Sequence, residues 1–224
     1  MLNSLKELSK ASKRGRLIDN LFRSHFCSMK HLLLSALIFS SATTLAQHAQ
    51  ALLLGSQAPK IEAVDNHGNA FSLEQTLKNG PVIVVFYRGE WCSYCNRHMA
   101  EFEAALPKFK ELGVTVVAIT PEQPKYVKKT VKKTDASFSI ISDPSHKIMD
   151  QWLVSFILEE DMYDRYKNFG INIDRASGNK GRVLPVPATY IIGRDGVIEA
   201  AHFNNDYTQR MPVKDILEAV STWK

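Results

Sequence analysis

Apolar positions in this chain fall into two patterns, short unbroken blocks and longer stripes spaced three or four residues apart. The block Pro81–Tyr87 is β-branched and aromatic throughout, which predicts a strand buried on both faces. From Asn96 to Leu112, Met99, Phe102, Ala105 and Phe109 share one helical stripe. A second block, Val114–Ile119, follows at once, and strand–helix–strand in that order predicts a parallel βαβ unit. Upstream, Ile61–Val64 and Ala70–Leu73 flank Asp65-Asn66-His67-Gly68-Asn69 and predict a hairpin.

The pattern continues with a helix over 122–133, in which Val127 and Val131 point inward. Its pairs Lys128/Lys132 and Lys129/Lys133 stand at i, i+4 and read as a solvated face rather than an anion patch. A strand over Ser137–Ile141 leads to a helix opened by Asp143-Pro144-Ser145 and carrying Ile148, Met149, Trp152 and Leu153. Residues 159–182 are polar, with Tyr163, Tyr166 and Phe169 interleaved, and form an insertion. Val186–Ile192, the turn Gly193-Arg194-Asp195-Gly196, the strand Val197–His202 and a helix near 212–222 complete one α/β domain.

Charge changes the picture at the N-terminus only. Residues 1–51 hold seven of the 28 Lys/Arg and two of the 23 Asp/Glu, leaving 21 of each beyond them. The remainder is neutral, so the basic balance does not point to nucleic acid. Met29-Lys30-His31, the apolar run Leu32–Phe39 and a Ser/Thr/Ala/Gln-rich stretch to Ala51 have the order of a secretory signal. Cleavage after Ala46 or Ala51 starts the mature chain near Gln47 or Leu52. We therefore divide the chain into a leader over 1–51, with Met29 as biological start, and a domain over 52–224. A transit peptide is the alternative for the first 28 residues. The apolar run falls short of the roughly 20 residues that span a bilayer, so no membrane span is expected in the mature form.

Export would remove Cys27 and leave two cysteines, Cys92 and Cys95, two residues apart on a strand-to-helix turn. Such thiols can close a small ring, and a helix N-terminus favours the thiolate. This is redox chemistry, with a structural staple the alternative. Cys92, Cys95 and His98 offer three metal ligands but no partner motif, so no metal is expected. Asn96 stands where a haem-attachment motif needs His, and no cofactor is called for.

Phe86-Tyr87-Arg88-Gly89-Glu90-Trp91-Cys92-Ser93-Tyr94-Cys95 resembles the redox turn of thioredoxin-fold proteins. With Gly55–Pro59, Ser142-Asp143-Pro144 and Pro185–Thr189, the chain resembles the peroxiredoxin-like branch of the alkyl hydroperoxide reductase/thiol-specific antioxidant family. The resemblance implies a thioredoxin-like α/β fold: a central mixed sheet flanked by helices, an N-terminal hairpin, and an insertion before a cis-proline strand. It also implies a thiol-dependent oxidoreductase that reduces peroxides and draws electrons from a thioredoxin-like or small thiol donor. If Cys95 takes the family's attacking position, Cys92 replaces its Thr and Arg88 its Pro. Val186-Pro187-Ala188-Thr189 instead resembles the cis-proline segment of thioredoxins, which implies protein disulfide exchange. A non-catalytic redox-sensing module is a third reading.

Position on the turn makes Cys92 the more exposed thiol and the attacker in disulfide exchange, with Cys95 deeper as resolver. Family spacing gives the attack on peroxide to Cys95, and both assignments stay open here. Arg88, at the strand end, is placed to hold a thiolate or a peroxide oxygen, unless it and Arg97 pair with Glu90 and Glu101. Trp91 reads as an apolar lid or a core residue. Pro187 needs a cis bond to approach the cysteines.

Overall fold

The computed structural model describes residues 49–222. The elements in chain order are β1 (Glu62–Val64), β2 (Ala70–Ser72), α1 (Leu73–Leu77), β3 (Val82–Phe86) and α2 (Ser93–Glu111). Next come β4 (Thr115–Thr120), α3 (Pro124–Thr134), β5 (Ser139–Ser142), α4 (Lys147–Gln151) and β6 (Ser155–Ile157). The insertion holds α5 (Glu160–Asn168) and α6 (Ile173–Ser177). It is followed by β7 (Val183–Pro185), β8 (Ala188–Ile192), β9 (Ile198–Phe203) and α7 (Val213–Ser221).

A five-stranded sheet in the order β5-β4-β3-β8-β9 forms the centre. β3, β4 and β5 run parallel, and β8 and β9 add antiparallel strands on the other side. Alternation along β3 divides the core. Ile83 and Val85 face Met99, Phe102 and Phe109 of α2 and Ile216 of α7, while Val82, Val84 and Phe86 face Met149, Trp152, Tyr190 and the hairpin. Phe86 and Tyr190 both pack against Trp152, with ring centroids 5.4 and 5.3 Å away. The hairpin is fixed by Asp65, whose Oδ1 accepts from the amides of His67 and Asn69 at 3.0 and 2.9 Å. Its Oδ2 accepts from Ser139, which ties the hairpin to β5.

The insertion differs from a plain polar loop. β6 and β7 pair across its neck, Ser155 with Pro185 and Ile157 with Val183. Leu158, Ile173 and Leu184 build a small core there, and Trp91 and Tyr166 pack on it. This brings the insertion over the end of β3.

One expectation is corrected. No cis peptide bond occurs among the described residues, so the bond to Pro187 is trans. The chain passes extended from β7 into β8, with the Val186 amide donating to Val154 O at 2.8 Å, and trans is the default in that conformation. Among the described residues no helix is long and apolar enough to cross a membrane. The expected leader, with Met29 and Cys27, falls outside the described residues except for 49–51.

Candidate active site

The redox turn is built from local hydrogen bonds. The Cys92 amide donates to Gly89 O at 3.1 Å, and Cys92 caps α2 by accepting the Cys95 amide on its Sγ at 3.3 Å. Cys92 and Cys95 form a disulfide, with Cα atoms 5.2 Å apart. Their exposure is 3 % and 1 %, so Cys92 is slightly the more exposed of the two but both are buried. Segments from elsewhere in the chain cover them.

Arg88 organises that cover. It is buried, its Nη1 donates to Tyr166 Oη of α5 at 2.9 Å, and its guanidinium stacks 3.8 Å from the Tyr207 ring. Trp91 lies on the same cation at 5.0 Å and in turn packs on Tyr166, centroids 5.2 Å apart. Trp91 is therefore half-buried between the turn and the insertion, packed on the core clusters of both. The Arg88 Nε has no hydrogen-bond partner. Arg88 does not pair with Glu90; that carboxylate takes Lys129 at 3.4 Å and also Lys133. Burial works against Glu90's charge, but the two lysines hold it below the usual carboxylate range. Arg97 is exposed on α2, over Tyr94. Pro187 is buried beside Ala188, the sheet partner of Phe86, and so belongs to the same end of the sheet.

Three neighbours had no sequence signal. Arg210, in the loop between β9 and α7, places Nη2 3.6 Å from Cys95 Sγ while Nη1 donates to the carbonyls of Tyr207 and Gln209. Burial and then the charge of Arg88 push its pKa down to about 10, with Asp206 opposing, so it stays cationic at neutral pH. Tyr207 meets Tyr94 edge to face at 5.9 Å. Glu122, just past β4, is 1 % exposed; its Oε2 accepts the Glu90 amide at 2.8 Å and its Oε1 is unpartnered. Burial raises its pKa to about 8, so this carboxyl is mostly protonated at pH 7. Gly89 makes room for it at φ +154°, where an added Cβ would lie 2.6 Å from Glu122 Oε1 and 2.7 Å from Trp91 Nε1.

His98 is turned away from the sulfurs. Its Nε2 lies 3.0 Å from Met211 O, and burial pushes its pKa down to about 4. No cluster of three or more metal-ligating side chains gathers among the described residues.

A central mixed sheet with a dithiol pair at the head of α2 defines a thiol-dependent redox enzyme on a thioredoxin-type fold. The AhpC/TSA family model matches residues 54–201, and the chain belongs to that family. Chloroplastic peroxiredoxin Q of Populus jackii is 25% identical over 223 residues, covering 99% of this chain and 93% of that protein. The thiol-disulfide oxidoreductase ResA of Bacillus cereus (strain ZK / E33L) is 31% identical over 114 residues, covering 48% of this chain and 65% of that protein. Among solved structures, the peroxidoxin BcpB of Mycobacterium tuberculosis aligns with a TM-score of 0.59 at 16% identity, covering 76% of this chain and 97% of that one. The reduced 2-Cys peroxiredoxin of Plasmodium vivax aligns at 0.56 and 21% identity, covering 77% and 96%. The structural matches speak for the fold.

Proposed function

We propose that this protein reduces peroxides by cycling Cys92 and Cys95 between dithiol and disulfide. One thiolate attacks a peroxide oxygen; the O–O bond breaks, the leaving oxygen takes a proton, and a sulfenic acid remains. The second thiol attacks that sulfur, releases water and closes the disulfide, which two thiol equivalents from a donor reduce again. The observation that carries this reading is the burial of both cysteines, at 3 % and 1 % exposure, in a core cluster on which Trp91 packs. A small peroxide reaches such a pair more readily than a folded protein strand does. Arg88 and Trp91 enclose the thiols, and Pro187 supports the adjacent strand end.

Disulfide exchange on proteins is the second reading, favoured by the similarity to ResA and weakened by the trans bond at Pro187. The same proposal takes residues 1–51 as a secretory leader starting at Met29 and places the enzyme in the periplasm or outside the cell, where a disulfide persists. N-terminal sequencing of the mature protein beginning upstream of Leu32 would count against the leader.

Stopped-flow mixing of the reduced protein with hydrogen peroxide tests the function. Fast thiol loss supports peroxide reduction. A mixed disulfide with a protein client and no response to peroxide supports exchange, and neither response leaves a redox-sensing module.

A further inference from the structure

Helix α3 carries five lysines and no acidic residue in its 11 positions: Lys125, Lys128, Lys129, Lys132 and Lys133. At 3.6 residues per turn they share an arc of about 140°. The opposite side holds Tyr126, Val127, Thr130 and Thr134, all buried. Basic and acidic residues balance beyond residue 51, so this face is a local excess rather than part of a basic surface. The arrangement works against the helix. Lysines three and four positions apart repel one another, and Lys125 stands in the first turn, where the helix end is already positive. A solvated face needs polar residues, not five of one sign.

Two of the five have a partner inside the chain. Lys129 Nζ lies 3.4 Å from Glu90 Oε1, while Lys133 bonds the other carboxylate oxygen and, at 2.9 Å, the Glu90 carbonyl. Glu90 stands two residues before Cys92, so the lysine face is fastened to the rim of the redox turn. Lys125, Lys128 and Lys132 pair with no carboxylate among the described residues. Glu62 and Asp65 share a cleft with Lys128 but are engaged elsewhere. Glu62 accepts from Ser72 at 2.7 Å, and Asp65 from Ser139 and two hairpin amides.

We infer that this face of α3 is the docking surface for the electron donor, and that the donor is a protein with carboxylates around its own dithiol. The inference deepens the peroxide-reducing reading, to which it adds the partner of the reductive half, and rests on it. The three unpaired lysines span residues 125–132, about 10 Å of helix axis, which is more than a small anionic thiol covers and fits an acidic protein rim. A positive field beside the disulfide raises the encounter rate of such a donor, orients it on the turn and turns basic proteins away. Neutral peroxide is indifferent to it. In the reductive half the donor dithiol gives up two electrons and two protons and leaves as a disulfide. The Cys92–Cys95 bond breaks, and both cysteines regain their protons.

The test reduces the oxidised full-length protein with three synthetic dithiol peptides that share one Cys-Gly-Pro-Cys centre and are flanked by Glu, Ser or Lys. Each rate is normalised to that peptide's rate with hydroxyethyl disulfide, which removes differences in thiol reactivity. At about 0.01 M salt, where the screening length is about 30 Å, the Glu peptide should be about tenfold faster than the Ser peptide and the Lys peptide slower still. At about 1 M salt the three should converge. The triple variant Lys125→Gln, Lys128→Gln and Lys132→Gln leaves both lysines on Glu90 and should abolish the order, with its rate of reduction by dithiothreitol unchanged. Equal peptide rates at low salt, or an order that survives in the triple variant, would overturn the inference. So would mercaptosuccinate gaining over mercaptoethanol as much as the Glu peptide gains over the Ser peptide, which would make the donor a small anionic thiol. Binding to phosphatidylglycerol vesicles that the triple variant loses, with equal peptide rates, would make the face a membrane contact instead. The expected order in a protein that ignores peroxide would uphold the docking surface and defeat the proposed activity.

Discussion

The redox turn and the roof over it are built in opposite ways. From Gly89 to Asn96 the bonds that set the two cysteines join near neighbours, with Cys92 capping α2 and Asn96 Nδ2 reaching back to Glu90 O at 2.8 Å, while Glu90 alone is anchored farther off, on Glu122 and two lysines. The roof is assembled from distant sequence: Tyr166 lies 78 residues from the arginine it binds, and Arg210 lies 115 from the cysteine it touches. The difference separates two properties. Where the thiols are is a local matter of strand, turn and helix cap. How exposed and how charged they are is decided by chain that the local sequence does not contain.

The largest effect should come from the turn itself. Cys92→Ser or Cys95→Ser should reduce steady-state peroxide turnover to background, because neither alone can close the disulfide; a variant keeping full turnover would break the comparison at its root. Next is Gly89→Ala, which puts a methyl group against Glu122 and Trp91 in a backbone conformation suited to glycine. Thermal and urea denaturation should show a loss of about 3 kcal/mol.

Glu122 gives a third effect, set by pH. Its folded pKa, about 8, lies above the ordinary 4.5, so the folded state holds a proton that the unfolded chain releases. The associated stability is complete below pH 4.5 and is lost progressively as pH rises through 8. Between pH 6 and 9 denaturant midpoints should fall by the equivalent of about 2 kcal/mol, and Glu122→Gln should flatten that slope. The smallest effect belongs to the roof's edge. Tyr166→Phe removes one hydrogen bond from Arg88, costing about 1 kcal/mol, and should speed reduction of the disulfide by dithiothreitol several-fold. An unchanged reduction rate would mean that the insertion does not restrict access.

Legibility in the sequence follows the same division. The blocks 81–87 and 114–119 and the stripe through Met99, Phe102 and Phe109 mark β3, β4 and α2 because their periods are strong and local. Strand and helix bounds differ from the pattern by a few residues: α2 begins at Ser93 rather than Asn96, because Cys92 itself is the cap. β6 and β7 carry no such mark, since three-residue strands show no period and gain their form by pairing with each other. The cysteines, Arg88 and Trp91 are visible as candidates from spacing and position. Arg210, Tyr207 and Glu122 are not, because a polar loop and a residue after a strand give no hint of what they will face. Position on the turn gives the order, Cys92 above Cys95 in exposure, but not the degree, since both are buried at 3 % and 1 %.

The most direct measurement is a peroxide titration of the fully reduced protein with mass mapping of the products. One equivalent of hydrogen peroxide should remove both thiols and yield the Cys92–Cys95 disulfide within a single chain. Both thiols surviving excess peroxide, or oxidation appearing only as links between chains, would contradict the account.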